Sequence, residues 1–280
     1  MTGRHRRHRR PAAFALAGAL MSAVALGACA TDSADSFAED YTAYLRGRSD
    51  VTSFRVHPNN AVLSRGSVDT VVSLRAGLPD EDVARAAREL AAHRGGAVID
   101  EHRIRVEFSA RDSSGGPVAA EIYLVPGSDN PRLGDPARYL DWVRRTRQFT
   151  ASNPGVTAVR AWRTAIAAES SRDAYPLAES LDRFIADDSG GIRELSVTGS
   201  DCVLQWDAGD TPADLGRYRD LLALLPAGTS PVHCRATSQR PEPAAAVYLT
   251  VSRTTPDTVV ESIRARAAEI GLPAQIAVAA

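Results

Sequence analysis

Two halves of this chain pass through the same series of segments in the same order. In the first half, period-2 segments predict strands near Val51–Val56, Val68–Leu74, Ile104–Phe108, Ala120–Val125 and Val156–Ala161. Period-3.6 segments predict helices near Phe37–Arg46, Pro79–His93 and Pro136–Phe149. The last two open on a proline, whose missing N–H costs nothing in a first turn. Asp80, Glu81 and Asp82 fill one of those turns, where the helix dipole favours negative charge, and are read as helix-start residues rather than metal ligands. The second half repeats the order: helix Leu177–Ile185 and strand Ile192–Val197 match the opening pair, and the run Cys202–Gly209 lies against Thr70–Gly77. Val83, Ala86 and Leu90 correspond to Leu215, Tyr218 and Leu222; Ala120–Leu124 is echoed by Ala245–Leu249; and Pro136, Tyr139, Leu140, Val143 and Arg144 find Pro256, Val259, Val260, Ile263 and Arg264. Five matches in one order point to an internal duplication.

The expected fold class is α+β, with two tandem repeats of an α-β-(βαββαβ) unit over residues 37–167 and 174–280. The bracketed order is that of a split βαβ, or ferredoxin-like, domain, and its ββαβ start resembles in topology the BON-type modules of bacterial envelope proteins. Either unit packs its helices on one sheet face and leaves the other free.

The opening is a targeting segment rather than part of the fold. Arg4, Arg6, Arg7, Arg9 and Arg10 form a positive n-region, followed by the apolar run Pro11–Leu26, which is short for a membrane span. The run closes on Leu26-Gly27-Ala28-Cys29, which resembles the lipobox of bacterial lipoproteins. That resemblance implies a signal peptide over 1–28, cleavage before Cys29, a diacylglycerol on the Cys29 thiol and a lipidated tether over 29–36. The chain is then expected to sit outside the cytoplasm, anchored to the cell membrane. Simple secretion is the alternative, because Ala28-Cys29-Ala30 also reads as a small-x-small cleavage site.

Composition narrows the partners. The chain has no lysine, so its 33 basic residues are all arginine; five lie in the leader, which leaves 28 against 34 acids and a formal charge of −6 after cleavage. Bulk attraction to nucleic acid is not expected of such a chain. The absence of lysine also removes the phosphate-loop pattern and the Ser-x-x-Lys nucleophile, and neither Gly-x-Ser-x-Gly nor His-Glu-x-x-His occurs. His57, His93, His102 and His233 fall on different elements and read as surface or edge residues. Ser113–Pro117 reads as a turn between adjacent strands, Ser189-Gly190-Gly191 as a helix stop, and Gly127–Asp135 as a turn-rich connection without calcium-loop spacing. No catalytic, cofactor or metal residue is assigned.

Cys202 and Cys234 are the disulfide candidates, since an exported chain permits oxidation and parity turns both towards the helix-covered face. A ferredoxin-like sheet would set their strands ~9.6 Å apart, beyond the reach of a bridge, so a bridge argues for neighbouring strands, as in the BON-like option, or for a bulged start of the first strand. Parity turns Arg103, Arg105, Glu107, Glu121 and Tyr123 to the other face in the first unit, and Gln205, His233, Arg235, Tyr248 and Thr250 in the second. Arg103, Arg105, Tyr123, Arg235 and Tyr248 form the candidate binding face, because Arg forks and tyrosines suit a protein or cell-wall partner. The expected function is therefore a non-catalytic binding or scaffold module of the envelope. The alternative is an extracytoplasmic enzyme with a cleft between the units, marked by a His that reaches both a hydroxyl and a carboxylate.

Overall fold

A computed structural model describes residues 33–60, 64–186, 191–210, 212–238 and 246–279; Cys29, the leader and most of the expected tether lie outside them. The chain is α+β, and its eleven strands form one mixed sheet in sequence order. The elements run α1 (Ser33–Arg46), β1 (Val51–Asn59), β2 (Ser67–Leu74), α2 (Asp80–Ala92), β3 (Glu101–Arg111), β4 (Pro117–Leu124), α3 (Tyr139–Ser152), β5 (Val156–Ala161) and β6 (Ala165–Ser170). They continue with α4 (Ala174–Ala186), β7 (Glu194–Thr198), β8 (Val203–Asp207), α5 (Tyr218–Leu222), β9 (His233–Thr237), β10 (Ala246–Val251), α6 (Asp257–Glu269) and β11 (Ala274–Val278).

From β3 onward two kinds of step alternate. The pairs β3·β4, β5·β6, β7·β8 and β9·β10 are antiparallel, whereas β4·β5, β6·β7, β8·β9 and β10·β11 are parallel and each spans a helix. The ferredoxin-like strand order, one of the two expected, is not the order observed. A split βαβ needs a third strand between its two parallel strands, yet β8 and β9 are direct neighbours, with Val203 opposite Arg235. The reason for a single sheet is β6, which pairs with β5 on one side and β7 on the other.

The described residues fall into two compact units. The smaller gathers those within Met1–Arg48, Val56–Thr70 and His93–Arg103, and the larger those within Ser49–Arg55, Val71–Ala92 and Ile104–Ala280. In the smaller unit, α1 buries Ala34, Phe37, Ala38, Tyr41 and Leu45, a stripe at helical spacing. The helix begins at Ser33 rather than Phe37 because Ala34 already belongs to that stripe.

In the larger unit each strand turns alternate side chains into the core. Ile104, Val106, Ile122, Leu124, Ile166, Leu195, Val197, Leu204 and Trp206 are all buried, and α2, α3 and α4 lie side by side over them. The expected acids at the start of α2 serve as helix-start residues and also tie two helices together, since Asp80 pairs with Arg147 and Glu81 with Arg144 at 2.6 Å. The first turn expected at Pro136 is a 3-10 turn capped by Asp135, whose Oδ1 accepts from Ala137 N at 2.9 Å, and α3 follows it. Asp201 joins two further elements: it accepts from Ala174 N at 2.8 Å, at the start of α4, and from Tyr218 Oη at 2.5 Å. Gly199 permits that approach, because a Cβ there would lie 2.3 Å from Ala174 N.

Cys202 and Cys234 form a disulfide with Cα atoms 4.6 Å apart. Both are buried on the helix-covered side. The bridge is possible because β8 and β9 are neighbours, which puts Cys202 opposite Cys234 one residue before the Val203–Arg235 pair.

Candidate functional site

The side of the larger unit's sheet away from the helices carries a mostly polar row across the strands, interrupted at Ala167. Ser53 Oγ donates to Ser73 Oγ at 2.9 Å, and Ser73 Oγ donates to Glu107 Oε2 at 2.5 Å. Glu107 stands directly opposite Glu121 in the β3·β4 pair. Glu121 Oε1 lies 3.4 Å from Arg160 Nε on β5, and Arg160 also pairs with Glu169 on β6. The row continues through Ala167, Ser196, Gln205 and Thr237, each opposite the next.

Glu121 is the unusual member of the row. Although it belongs to the uncovered face, it is only 6% exposed, and its Oε2 has no hydrogen-bond partner. An orphaned buried acceptor costs on the order of 1–3 kcal/mol. Burial is the main cause that lifts its pKa above the usual carboxylate range; Arg105 and Arg160 oppose the shift, while Glu107 and Glu169 reinforce it. Gln205 Oε1, further along the row, is likewise buried without a partner.

The sequence placed Glu107 and Glu121 on this face by alternation but missed Arg160 and Glu169. Their signal is weak: Arg160 shares the parity of the buried Ala158, a register shift between Val156 and Ala158 breaks the alternation of β5, and alanines fill both parities of β6. Only the strand order brings these two side chains to Glu121.

Two Arg–Tyr pairs are brought together as cross-strand neighbours. Arg105 faces Tyr123 in β3·β4, and Arg235 faces Tyr248 in β9·β10, where His233 also faces Thr250. The pairs do not share one site, because β4 and β9 are five strand steps apart in the sheet, ~24 Å at ordinary spacing. Arg103 belongs to the smaller unit and is held there by Asp69 at 2.9 Å, by Glu101 at 3.5 Å and by Ser67 Oγ at 3.0 Å.

His102 corrects the surface reading given to the histidines. It is 7% exposed, lies edge-on to Phe37 and Tyr41 with ring centroids 4.9 and 4.5 Å away, and shares a 3.0 Å hydrogen bond between Nε2 and Thr70 Oγ1. Burial is the main cause that lowers its pKa to about 3, with smaller contributions from His93 and Arg94. Among the described residues no carboxylate is hydrogen-bonded to His102, so the Thr70–His102 pair lacks the third member of a hydrolytic constellation. His93 stacks on Tyr44 with centroids 3.9 Å apart.

The loops follow their turn chemistry. Asp112 closes the β3–β4 turn, with Oδ1 accepting from Ser114 N and Gly116 N at 2.9 and 2.7 Å and Oδ2 accepting from Gly155 N at 2.8 Å. The Gly155 bond is the main cause that holds its carboxyl below the usual range. Ser189 and Gly190 lie outside the described residues. Among the described residues no group of three or more His, Cys, Asp or Glu side chains is placed to hold a metal ion, and no helix is long and apolar enough to cross a membrane. No family model, curated protein or solved structure matches this chain.

Proposed function

We propose that the chain is a lipid-anchored extracytoplasmic module, built from two tandem α-β-(βαββαβ) copies, that holds a protein or cell-wall partner on its uncovered sheet face. The observation that carries this reading is the Arg–Tyr cross-strand pair, present as Arg105–Tyr123 on β3·β4 and again as Arg235–Tyr248 on β9·β10. Core packing does not require such a pair, whereas Arg and Tyr are the side chains that dominate binding surfaces. The duplication is supported by the element order α-β-β-α-β-β-α-β, which runs from α1 to β5 and again from α4 to β11 with β6 between.

The cellular address rests on the Leu26–Cys29 motif, and the Cys202–Cys234 bridge is compatible with an oxidising compartment. The test replaces Tyr123 and Tyr248 together by serine and compares recovery of envelope partners and of purified cell wall in co-sedimentation. Loss of one of these in the double variant, with the fold intact by circular dichroism, is the expected result. Equal recovery by both proteins refutes the reading.

A further inference from the structure

The polar row has a second property that names a ligand chemistry. Trp162 is 36% exposed. Its N–H donates to Ala165 O at 2.8 Å, which carries the β5·β6 ladder one residue past the Ala161–Ile166 pair. Trp162, one residue past the end of β5, therefore keeps the parity of Arg160 and stands on the uncovered face. Tyr123 stands two residues along β4 from Glu121, on the same face.

We infer that the patch around Glu121, Arg160 and Trp162 is a saccharide-binding site for a neutral, hydroxyl-rich sugar. The inference rests on the binding-face reading above and specifies its ligand. Three observations converge. First, Glu121 Oε2 is an acceptor with no donor, on a side chain more than nine-tenths buried, so the missing group must bring an O–H or N–H. Second, acceptors and donors alternate around it: Glu107, Glu121 and Glu169 accept, and Arg105 and Arg160 donate. An anion meets three carboxylates there, and a cation meets two guanidiniums. A hydroxyl suits both, because it donates to a carboxylate and accepts from an arginine at once. Third, Trp162 and Tyr123 offer aromatic surface beside those groups, and an aromatic ring with a polar handle suits the apolar C–H face of a pyranose. Oε2 is covered in the unliganded fold, so the proposed hydroxyl reaches it through rotamer changes of the long side chains around it, as is common on binding.

The chain has three tryptophans, and Trp142 and Trp206 are buried, so a change in intrinsic emission on adding a sugar that is absent from Trp162→Phe reports on Trp162. The full chain in detergent is titrated with N-acetylglucosamine tetramer and, separately, with cellotetraose, each to about 20 mM. A saturable emission change with at least one probe is expected. Calorimetry with the same probe then compares variants whose circular dichroism matches the wild type. Trp162→Ala should lose binding, Trp162→Phe should stay within ~3-fold of wild type, and Glu121→Gln should weaken it by ~5-fold or more. Absence of saturation with both probes, or a Trp162→Ala variant that binds like the wild type, overturns the sugar assignment. If both probes fail while the Tyr123→Ser/Tyr248→Ser variant loses a protein partner, the sugar assignment falls and the binding face stands. If the double variant also loses nothing, both fall.

Discussion

Cys202 and Cys234 face one another across the parallel pair β8·β9, with Cα atoms 4.6 Å apart and 32 residues of sequence separation. The α5 crossover lies inside the loop they close. A loop of that length contributes on the order of 3–4 kcal/mol when its ends are joined in the unfolded chain. Replacing both cysteines by alanine is expected to lower the guanidinium unfolding midpoint by a matching amount. A reducing agent should bring the wild type to nearly the same midpoint. Equal midpoints for wild type and double variant, both under oxidising conditions, would show that the bridge contributes nothing.

The second expectation concerns acid. His102 is held at about 3 in the folded state, below the ordinary value of 6.5, chiefly by burial. Between those values the unfolded chain binds a proton that the folded chain does not, so stability is fully present above pH ~6.5 and falls as pH drops towards the folded value. At pH 5 the loss from this residue is ~2 kcal/mol. The amide protection factors of α1, which supplies Phe37 and Tyr41 to the His102 ring, should fall between pH 7.5 and pH 5, after correction for the intrinsic pH dependence of exchange, by more in the wild type than in His102→Gln. An equal change in both proteins would remove His102 as the cause.

How much of this was legible in the sequence depends on side-chain shape. Strands β2 to β4 carry branched or aromatic residues at alternate positions, and their pattern is plain: Val68, Val72 and Leu74 in β2, or Ile104, Val106 and Phe108 in β3. The strand β6 is Ala-Ile-Ala-Ala-Glu-Ser, and alanine suits either face and either period, so the strand that makes the sheet continuous left almost no trace. Parity sufficed for Glu107, Glu121 and Tyr123. It could not supply Arg160 and Glu169 as neighbours, because that contact depends on strand order and not on spacing along one strand. His102 was misread against an available signal, for it shares the parity of Ile104 and Val106, both buried.

Glu121 gives a third expectation, opposite in sign to that of His102. Its pKa is raised in the fold, mainly by burial. A raised carboxyl contributes most below its unfolded value, and that contribution is lost as pH climbs through the folded value. Glu121→Gln keeps the shape and removes the charge, so it is expected to raise the unfolding midpoint at pH 7.5 and to change it little near pH 4. Urea unfolding at the two pH values measures both. The same substitution should weaken sugar binding, and a variant that is more stable but binds less is what a site kept at some cost to the fold produces. Destabilisation at pH 7.5 would mean that the Glu121–Arg160 ion pair outweighs the burial of the charge.

The last expectation concerns the anchor. No described helix is long and apolar enough to cross a membrane, and the formal charge of −6 after the leader offers no attraction to anionic lipid. Attachment on the proposed reading then rests on the acyl chains at Cys29, and two or more chains hold stably where one does so only marginally. The full chain expressed in a lipoprotein-processing bacterium is expected to enter the detergent phase on phase separation and to carry a diacylglycerol mass increment on Cys29. Cys29→Ala should leave that phase, yet keep the near-ultraviolet spectrum set by Trp142 and Trp206, because both are buried in the larger unit and take no part in anchoring. If the wild type lacks the increment, or Cys29→Ala still sediments with membranes, the anchor is wrong. Secretion by the Ala28-Cys29-Ala30 cleavage then replaces it, and the mature N-terminus read by mass spectrometry identifies which cleavage took place.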